Sequence, residues 1–369
     1  MKVALVLASS ARAGAELFVV SLAKALRVDG EDVTVILLQK GDVACLLEEA
    51  GVRVIQLHMR SQRSLGVLLS LARHLTLEDF DIIHAHGARA AACASLAALF
   101  SPRSVRIATV HQLVDATASG GKCRLENVLY RGLYQRVICV SRACCDDVVL
   151  RRQVHQKKVC LIHNGVEIIP QRYRLRSGRV IGALGRLSPA KGFDRLVQAF
   201  HLLAQTDSQC RLVLGGEGPE RARLESLAAA GCGHARIEFA GLVTDTTKFF
   251  EGIDILTIPS RTESFGLVAV EAMAQGVPIL ATDVGGLREV LEQGRFGNLV
   301  RDDSALAFAE ALRELLGNGE RRAQLAETGP VRAQEYSIQR CALRHRSAYR
   351  SLKMGNRLLP APREINPPL

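Results

Sequence analysis

The chain has 369 residues, 48% of them hydrophobic, with a formal net charge of +11 and glycine and proline in ordinary amounts. That length exceeds a single core of ~100 to 200 residues, so two domains are expected, and the composition excludes a disordered or fibrous chain. No stretch approaches the ~18 uninterrupted apolar residues that a membrane span requires.

The opening "MKVALVLASSARAGA" has the lysine, apolar run and small residues of a secretion signal. Its apolar core, Val3 to Ala8, is shorter than a usual signal core and suits a buried strand better. From that first strand, "KVALVLA", short aliphatic runs alternate with helix-period segments. Helix "AELFVVSLAKAL", strands "DVTVILL" and "RVIQL" and helix "SLGVLLSLARHL" lead to strands "DIIHAH", "RIATVH" and "RVICVS". A second series follows "CLIHNGVEIIPQRYRLRSG": strand "VIGALG", helix "FDRLVQAFHLLA", strand "RLVLGG", helix "RARLESLAA", then "RIEFAG", "DILTIPS" and "PILATD".

Runs without polar alternation suit strands covered on both faces, and hence parallel sheets flanked by helices. The expected fold is therefore α/β, with two Rossmann-like domains of parallel sheet, residues 1–165 and 166–345, facing a central cleft. Residues 346–369 are expected to hold the end of the last helix, packing back towards the first domain, and a flexible Pro-rich tail. The ten cysteines show no C-x-x-C spacing and sit largely in apolar runs, which points to free thiols in a reducing cytosol rather than disulfides or zinc.

In an open parallel sheet, ligands sit beyond the carboxyl ends of the strands, where loops enter helices. Two such turns stand out. In "GALGRLSPAKGF", Gly185, Arg186, Lys191 and Gly192 precede a helix; two cations beside glycines at a helix N-terminus can hold a diphosphate. A solvated turn would read the same, and the spacing is not that of a P-loop. In "DILTIPSRTESFGLVAVEAMAQG", Glu263 lies in the loop and Glu271 about two turns into the following helix, with Gly266 and Leu267 offering N–H groups between them. That layout suits a sugar at one end, a diphosphate in the middle and a ribose diol at the other. A favourable N-terminal acid and a solvated helix residue are the competing reading.

With "EAMAQGVPILATDVGG" following in register, and with "GRLSPAKG", "HNGVE", "VICVS", "DIIHAHG" and "TVH" elsewhere, the chain from about residue 2 to 352 resembles the retaining glycosyltransferases of family four. The resemblance implies the glycosyltransferase-B fold, with an acceptor-binding first domain and a donor-binding second one. It places Arg186 and Lys191 on the donor diphosphate, with Gly185, Phe265, Gly266 and Leu267 lining it. Glu271 would bind the ribose, Glu263 the transferred sugar, and the loop with Leu242 and Asp245 would border the nucleobase. His111 would face the donor sugar, a core histidine being the alternative, whereas His84 and His86 read as structural. On the acceptor side the double glycine usual at the first turn is replaced by Ala13 and Gly14, with Glu16 after it; Gly14 alone must allow close approach.

The expected activity is retaining, hexosyltransferase-like transfer from a nucleotide-diphosphate-sugar to a hydroxyl of a glycan or lipid-linked acceptor, in lipopolysaccharide-like or glycolipid synthesis. Neither a cofactor nor a metal is expected, because cationic side chains and a helix N-terminus would stabilise the departing diphosphate. A nucleotide-sugar epimerase or a non-catalytic sugar-nucleotide-binding protein of the same fold are the alternatives; a dinucleotide oxidoreductase is not, since "SSARAGAE" lacks G-x-G-x-x-G. Residues 1–100 carry ten basic and ten acidic side chains, but residues 101–158 hold eleven basic against four acidic. This excess predicts an anionic acceptor, or peripheral docking of a cytoplasmic enzyme on anionic membrane. No nucleic-acid motif accompanies it, and a solvated basic face is the competing reading.

Overall fold

The computed structural model describes residues 1–10, 14–58, 65–113, 127–169 and 179–355. Ala13, Lys122, Cys123 and Arg124, residues 170–178 of the interdomain segment, and the tail from Asn356 lie outside the described residues.

The aliphatic runs form strands because both of their faces are covered. In the first unit these are β1 (Lys2–Leu7), β2 (Asp32–Leu37), β3 (Arg53–Gln56), β4 (Ile82–His86), β5 (Val105–Val110), β6 (Arg136–Cys139) and β7 (Val159–Leu161). They pair in parallel in the order β3-β2-β1-β4-β5-β6-β7. In the second unit, β8 (Val180–Leu184), β9 (Arg211–Gly215), β10 (Ile237–Gly241), β11 (Ile255–Ile258), β12 (Ile279–Thr282) and β13 (Asn298–Val300) are likewise parallel, in the order β10-β9-β8-β11-β12-β13. Every residue of β4, β11 and β12 is buried, as continuous apolar patterning requires. β7 and β13, each of three residues, were not expected from the sequence.

Helices cover the sheets through one stripe each. On helix Phe193–Ala204, Phe193, Leu196, Val197, Phe200 and Leu203 recur at helical spacing and bury against Leu212 and Leu214 of the sheet and against Phe308 and Leu312 of helix Ala305–Gly317. In the first unit, helix Ile338–Lys353 buries Ile338, Cys341, Ala342, His345, Ala348 and Tyr349 against helix Gly14–Val28 and β5. Its outer side is tied by Arg346 and Arg350 to Glu31, at 3.4 and 3.5 Å, and by Lys353 to Asp81. The compact units are accordingly Met1–Gly165 together with the segment from Ile338 on, and Val166–Ser337. The expected boundary at 345/346 cuts through that helix; the structure keeps the helix whole, because its apolar stripe begins at Ile338.

Both sheets have the strand order of a doubly wound fold, and each therefore has a switch point from which successive connections diverge. In the first unit it lies between β1 and β4, and in the second between β8 and β11. The turns that leave β8 and β11 carry Arg186, Lys191 and Glu263.

Candidate active site

The turns after β8 and β11 are bolted together. Gly192 sits in the left-handed region at φ 65°, and a Cβ there would stand 2.0 Å from the Pro259 carbonyl oxygen, so only glycine fits. The buried Arg195 donates to that same oxygen at 2.5 Å, while Arg261 grips Asp194 with two bonds of 2.8 and 2.9 Å and its amide donates to Ala190 O at 2.8 Å. On this frame Lys191 Nζ lies 2.5 Å from Glu263 Oε2, and Ser260 Oγ donates to the same oxygen at 3.4 Å. The expected diphosphate ligand and the expected sugar ligand are thus brought together as an ion pair.

Arg186 is exposed and has no hydrogen-bond or ionic partner among the described residues. Its turn is fixed by its neighbours: Gly185 N–H donates to Gly215 O and Leu187 N–H to Glu217 O, both at 3.0 Å. Gly216, at φ 129°, would put a Cβ 1.9 Å from Gly185 O. The "GGEGP" turn after β9 is therefore the seat of the cationic turn, a role not foreseen from the sequence although its density of glycines was a usable signal.

Helix Leu267–Ala274 begins after Gly266, at φ 99°, and its first N–H groups have no acceptor within the helix. Phe265 is buried with its ring 5.5 Å from that of Tyr336, so it supports the loop from beneath. Gly286 N–H donates to Glu263 O at 2.9 Å, and a Cβ on Gly286 would meet Ser264 O at 2.4 Å. Gly286 is a second positioning residue that the sequence pattern contained but did not explain.

Glu271 is partly covered and has neither a counterion nor a hydrogen-bond donor among the described residues. Burial alone pushes its carboxyl pKa up to about 7. Leu242 is 58% exposed, whereas the Asp245 carboxylate caps helix Thr246–Glu251 by accepting the Lys248 N–H at 3.2 Å. Asp245 thus has a structural task whether or not a ligand approaches its loop.

In the first unit His86 ends β4 and His111 follows β5, and the adjacent parallel strands bring the two rings together: His86 Nδ1 is 3.1 Å from His111 Nε2, with ring centroids 5.4 Å apart. His84 is bonded on both sides, to Tyr349 Oη and to Thr109 Oγ1, each at 2.7 Å. Burial holds all of these imidazoles below the ordinary range, His111 at about 4. His84 is structural as expected; His86 is bonded to the candidate site residue. Gly14 is exposed at the start of its helix, and Glu16 is half-buried in the first turn.

The basic excess of residues 101–158 does not form one exposed set. Arg136 and Arg152 are buried, Arg136 donating to Lys157 O at 2.6 Å and Arg152 to Gln112 O at 3.2 Å. Lys158 donates to Arg131 O at 2.6 Å and Tyr134 O at 3.0 Å. Arg103, Arg131, Arg142, Arg151 and Lys157 remain exposed. Among the described residues no group of three or more His, Cys, Asp or Glu side chains is placed to hold a metal ion, and the nine described cysteines are free.

Two doubly wound parallel units are the architecture of a glycosyltransferase-B protein. Residues 12–168 match the model "Glycosyltransferase Family 4" and residues 167–332 the model "Glycosyl transferases group 1". The phosphatidyl-myo-inositol mannosyltransferase of Mycobacterium leprae is 31% identical over 346 residues, covering 88% of this chain and 90% of that protein. The D-inositol 3-phosphate glycosyltransferase of Corynebacterium urealyticum is 37% identical over 185 residues, 48% of this chain and 44% of that protein. Among solved structures, Anabaena HepE in complex with UDP-glucose superposes with a TM-score of 0.86 at 22% identity, over 95% of this chain and 100% of that one. The chain belongs to glycosyltransferase family 4.

Glu271 yields a pH-dependent prediction. Its folded pKa of about 7 exceeds the ordinary 4.5, so the folded chain holds this proton more tightly than the unfolded one, and the group lowers stability progressively as pH rises from about 4.5 to 7. Glu271→Gln removes that loss. Its melting temperature is expected to match the parent at pH 4.5 and to exceed it by a few degrees at pH 8, at about 2–4 °C per kcal/mol. Thermal unfolding at both pH values checks this; an equal difference at both would show that the carboxyl is not perturbed.

Proposed function

We propose that the protein transfers a sugar from a nucleoside-diphosphate-sugar to a hydroxyl of a glycan or lipid-linked acceptor, with retention at the anomeric carbon and without a metal. The observation that carries this reading is the pair of unpartnered charges, Arg186 and Glu271, within a frame whose other charged groups are largely engaged. Arg186 and the free N–H groups of helix Leu267–Ala274 suit the diphosphate, and Glu271 can accept two bonds from a ribose diol. Lys191 need not leave Glu263 to take part, since an ammonium has three N–H donors and one suffices for the carboxylate. Glu263 Oε1 is then left for a sugar hydroxyl. The UDP-glucose held by HepE supports the donor class.

In the proposed step the bond from the anomeric carbon to the phosphate oxygen breaks and its electron pair stays on the diphosphate. The acceptor oxygen bonds the same face of that carbon and passes its proton to the leaving diphosphate. Arg186, Lys191 and the helix N-terminus stabilise the charge that develops there. Turnover across a panel of UDP-, GDP- and ADP-sugars tests the reading. Arg186→Ala is expected to lower kcat/KM by roughly 10²–10³, the effect of losing one preorganised donor; a change below threefold would remove Arg186 from the site. With the diphosphate already met by cations, EDTA is expected to leave turnover unchanged, and loss that magnesium or manganese restores would contradict metal independence.

The acceptor is proposed to be anionic and membrane-borne, as in lipopolysaccharide-like or glycolipid synthesis, and the enzyme to work peripherally at the inner face of the cytoplasmic membrane. Supporting this, Leu77, Leu99 and Phe100 are 71, 53 and 65% exposed at the ends of neighbouring helical segments joined by Thr76 Oγ1 donating to Phe100 O at 3.3 Å. Arg73 is exposed in the first of these segments, and Arg103 is exposed three residues beyond the end of the second. Apolar side chains beside arginines suit the interface of an anionic bilayer, at ~1 kcal/mol per cation near its surface. Co-sedimentation is expected with anionic vesicles at low salt and to fall at high salt; equal binding to neutral vesicles, or none at low salt, would defeat the membrane reading.

A further inference from the structure

We propose that the second unit carries a binding site for a phosphate group at the carboxyl ends of β12 and β13, built by Arg288 and Arg301 around Asp283. The site goes beyond the transfer reaction and does not depend on it. A cavity of about 410 Å³ is lined there by Asp283, Arg288, Gln293 and Arg301. Its volume falls among those of small-ligand sites, roughly 300–1,000 Å³, but such sites are mostly apolar. All four side chains lining this one are polar or charged, so it suits a small anion and not an apolar molecule.

Asp283 leaves β12, and its amide donates to Val300 O at 2.9 Å, which ties the ends of the two strands together. Its carboxylate is only 9% exposed. Arg288 donates from Nε to Asp283 Oδ1 at 2.6 Å and from Nη2 to the Asp283 carbonyl at 3.2 Å, two bonds that fix the plane of the guanidinium; its Nη1 has no acceptor among the described residues. Arg301 Nε stands 3.4 Å from Asp283 Oδ2, on a side chain 88% exposed and with no other partner among the described residues. Asp283 is already bonded by Arg288, and so exposed a second pair adds little stability. One carboxylate between two permanent cations leaves a net positive charge and several N–H donors at the cavity. The nearby acids are engaged elsewhere: Asp302 accepts the Ser304 N–H at 2.8 Å, and Glu292 pairs with Arg295 at 3.3 Å.

Gln293 enters through unusual backbone. Glu292, Gln293 and Gly294 have φ of 45, 56 and 102°, three left-handed residues in succession, two of them with side chains. Such conformations persist where the surroundings impose them and gather at ligand clamps; here Arg321 Nη2 donates to Gly294 O at 2.8 Å. The turn sets an amide with two N–H donors at the same cavity as the guanidinium groups. Planar guanidinium forks match the oxygens of a phosphate. Gly286, in the helix that carries Arg288, donates to Glu263 O, so an occupant would press on an element that positions Glu263. The phosphate group can therefore belong to the acceptor or to a free phosphorylated effector.

Calorimetric titration of the full chain with inorganic phosphate, at an ionic strength held constant with chloride, tests the site. Saturable binding is expected, retained in Arg186→Ala and weakened about tenfold in Arg301→Gln, the loss of one charge-assisted contact. Arg301→Lys, which keeps the charge without the fork, is expected to recover part of that loss. Arg301 is exposed, so melting temperatures of these variants are expected to match the parent. Undiminished affinity in Arg301→Gln overturns the proposal, as does binding lost in Arg186→Ala alone or binding that chloride abolishes. Turnover at saturating donor separates the two sources. Phosphate that competes with acceptor in the parent but not in Arg301→Gln identifies the acceptor's own phosphate, and phosphate that changes kcat at saturating acceptor in the parent alone identifies an effector. If no sugar donor is turned over, the proposed function fails while the titrations still decide the site.

Discussion

The close approach of Gly192 to the Pro259 carbonyl governs the geometry of the second unit's site. Two turns that leave adjacent strands at a switch point would ordinarily diverge with their helices. Here the absence of a side chain at residue 192 lets the backbones meet, and the buried guanidinium of Arg195 satisfies the carbonyl oxygen at the contact. The Arg261–Asp194 fork then fixes the angle between the turns. Lys191 and Glu263, which are 72 residues apart in the chain, can form their 2.5 Å pair only because of this junction. A long flexible lysine is thereby held in one place, which removes much of the entropy it would lose on meeting a ligand.

The first unit solves a similar problem with strand register. β4 and β5 align so that His86 stands opposite Thr109 and the next inward ring is that of His111. The helix Ile338–Lys353 closes the cluster from one side with His345 and Tyr349. A run of imidazoles packed this way stays neutral, because each added charge would repel the others in a medium that solvates charge poorly. Neutral imidazoles can be both donor and acceptor, and a chain of them transmits orientation without transmitting charge.

The strands were readable because a buried parallel strand needs little except a run of aliphatic residues, and "KVALVLA" or "PILATD" can do little else. β7 and β13 escaped because three residues make no pattern; their pairing is a property of the neighbouring strand. The site was readable as a set of turns, since Gly185, Lys191, Glu263 and Gly266 lie where the chain passes from strand to helix. What those turns do to one another was not, for the Lys191–Glu263 pair, the support of Gly185 by Gly216 and the His86–His111 bond join positions with no local relation. The basic excess was legible only as a sum, for the same reason. Charge counted along the chain cannot tell Arg103, which faces water, from Arg136 and Arg152, whose guanidinium groups hold carbonyl oxygens inside the fold.

Glu271 and Glu78 are two carboxylates that this fold perturbs in opposite directions. Glu78, bonded by Arg53 and Lys2, has its pKa drawn down to about 2 and stabilises the chain wherever it is ionised. Glu271 is pushed the opposite way by burial, with no hydrogen-bond donor to it among the described residues. An apolar or amide side chain would suit the unliganded helix better, so the acid makes physical sense only with a partner from outside that supplies hydrogen bonds. The same argument applies to Arg186, whose guanidinium has no partner among the described residues and stands beside a turn seated on Gly216. Binding energy arises where a group is better satisfied in the bound state than in the free one, and the roles proposed for Arg186 and Glu271 rest on that difference.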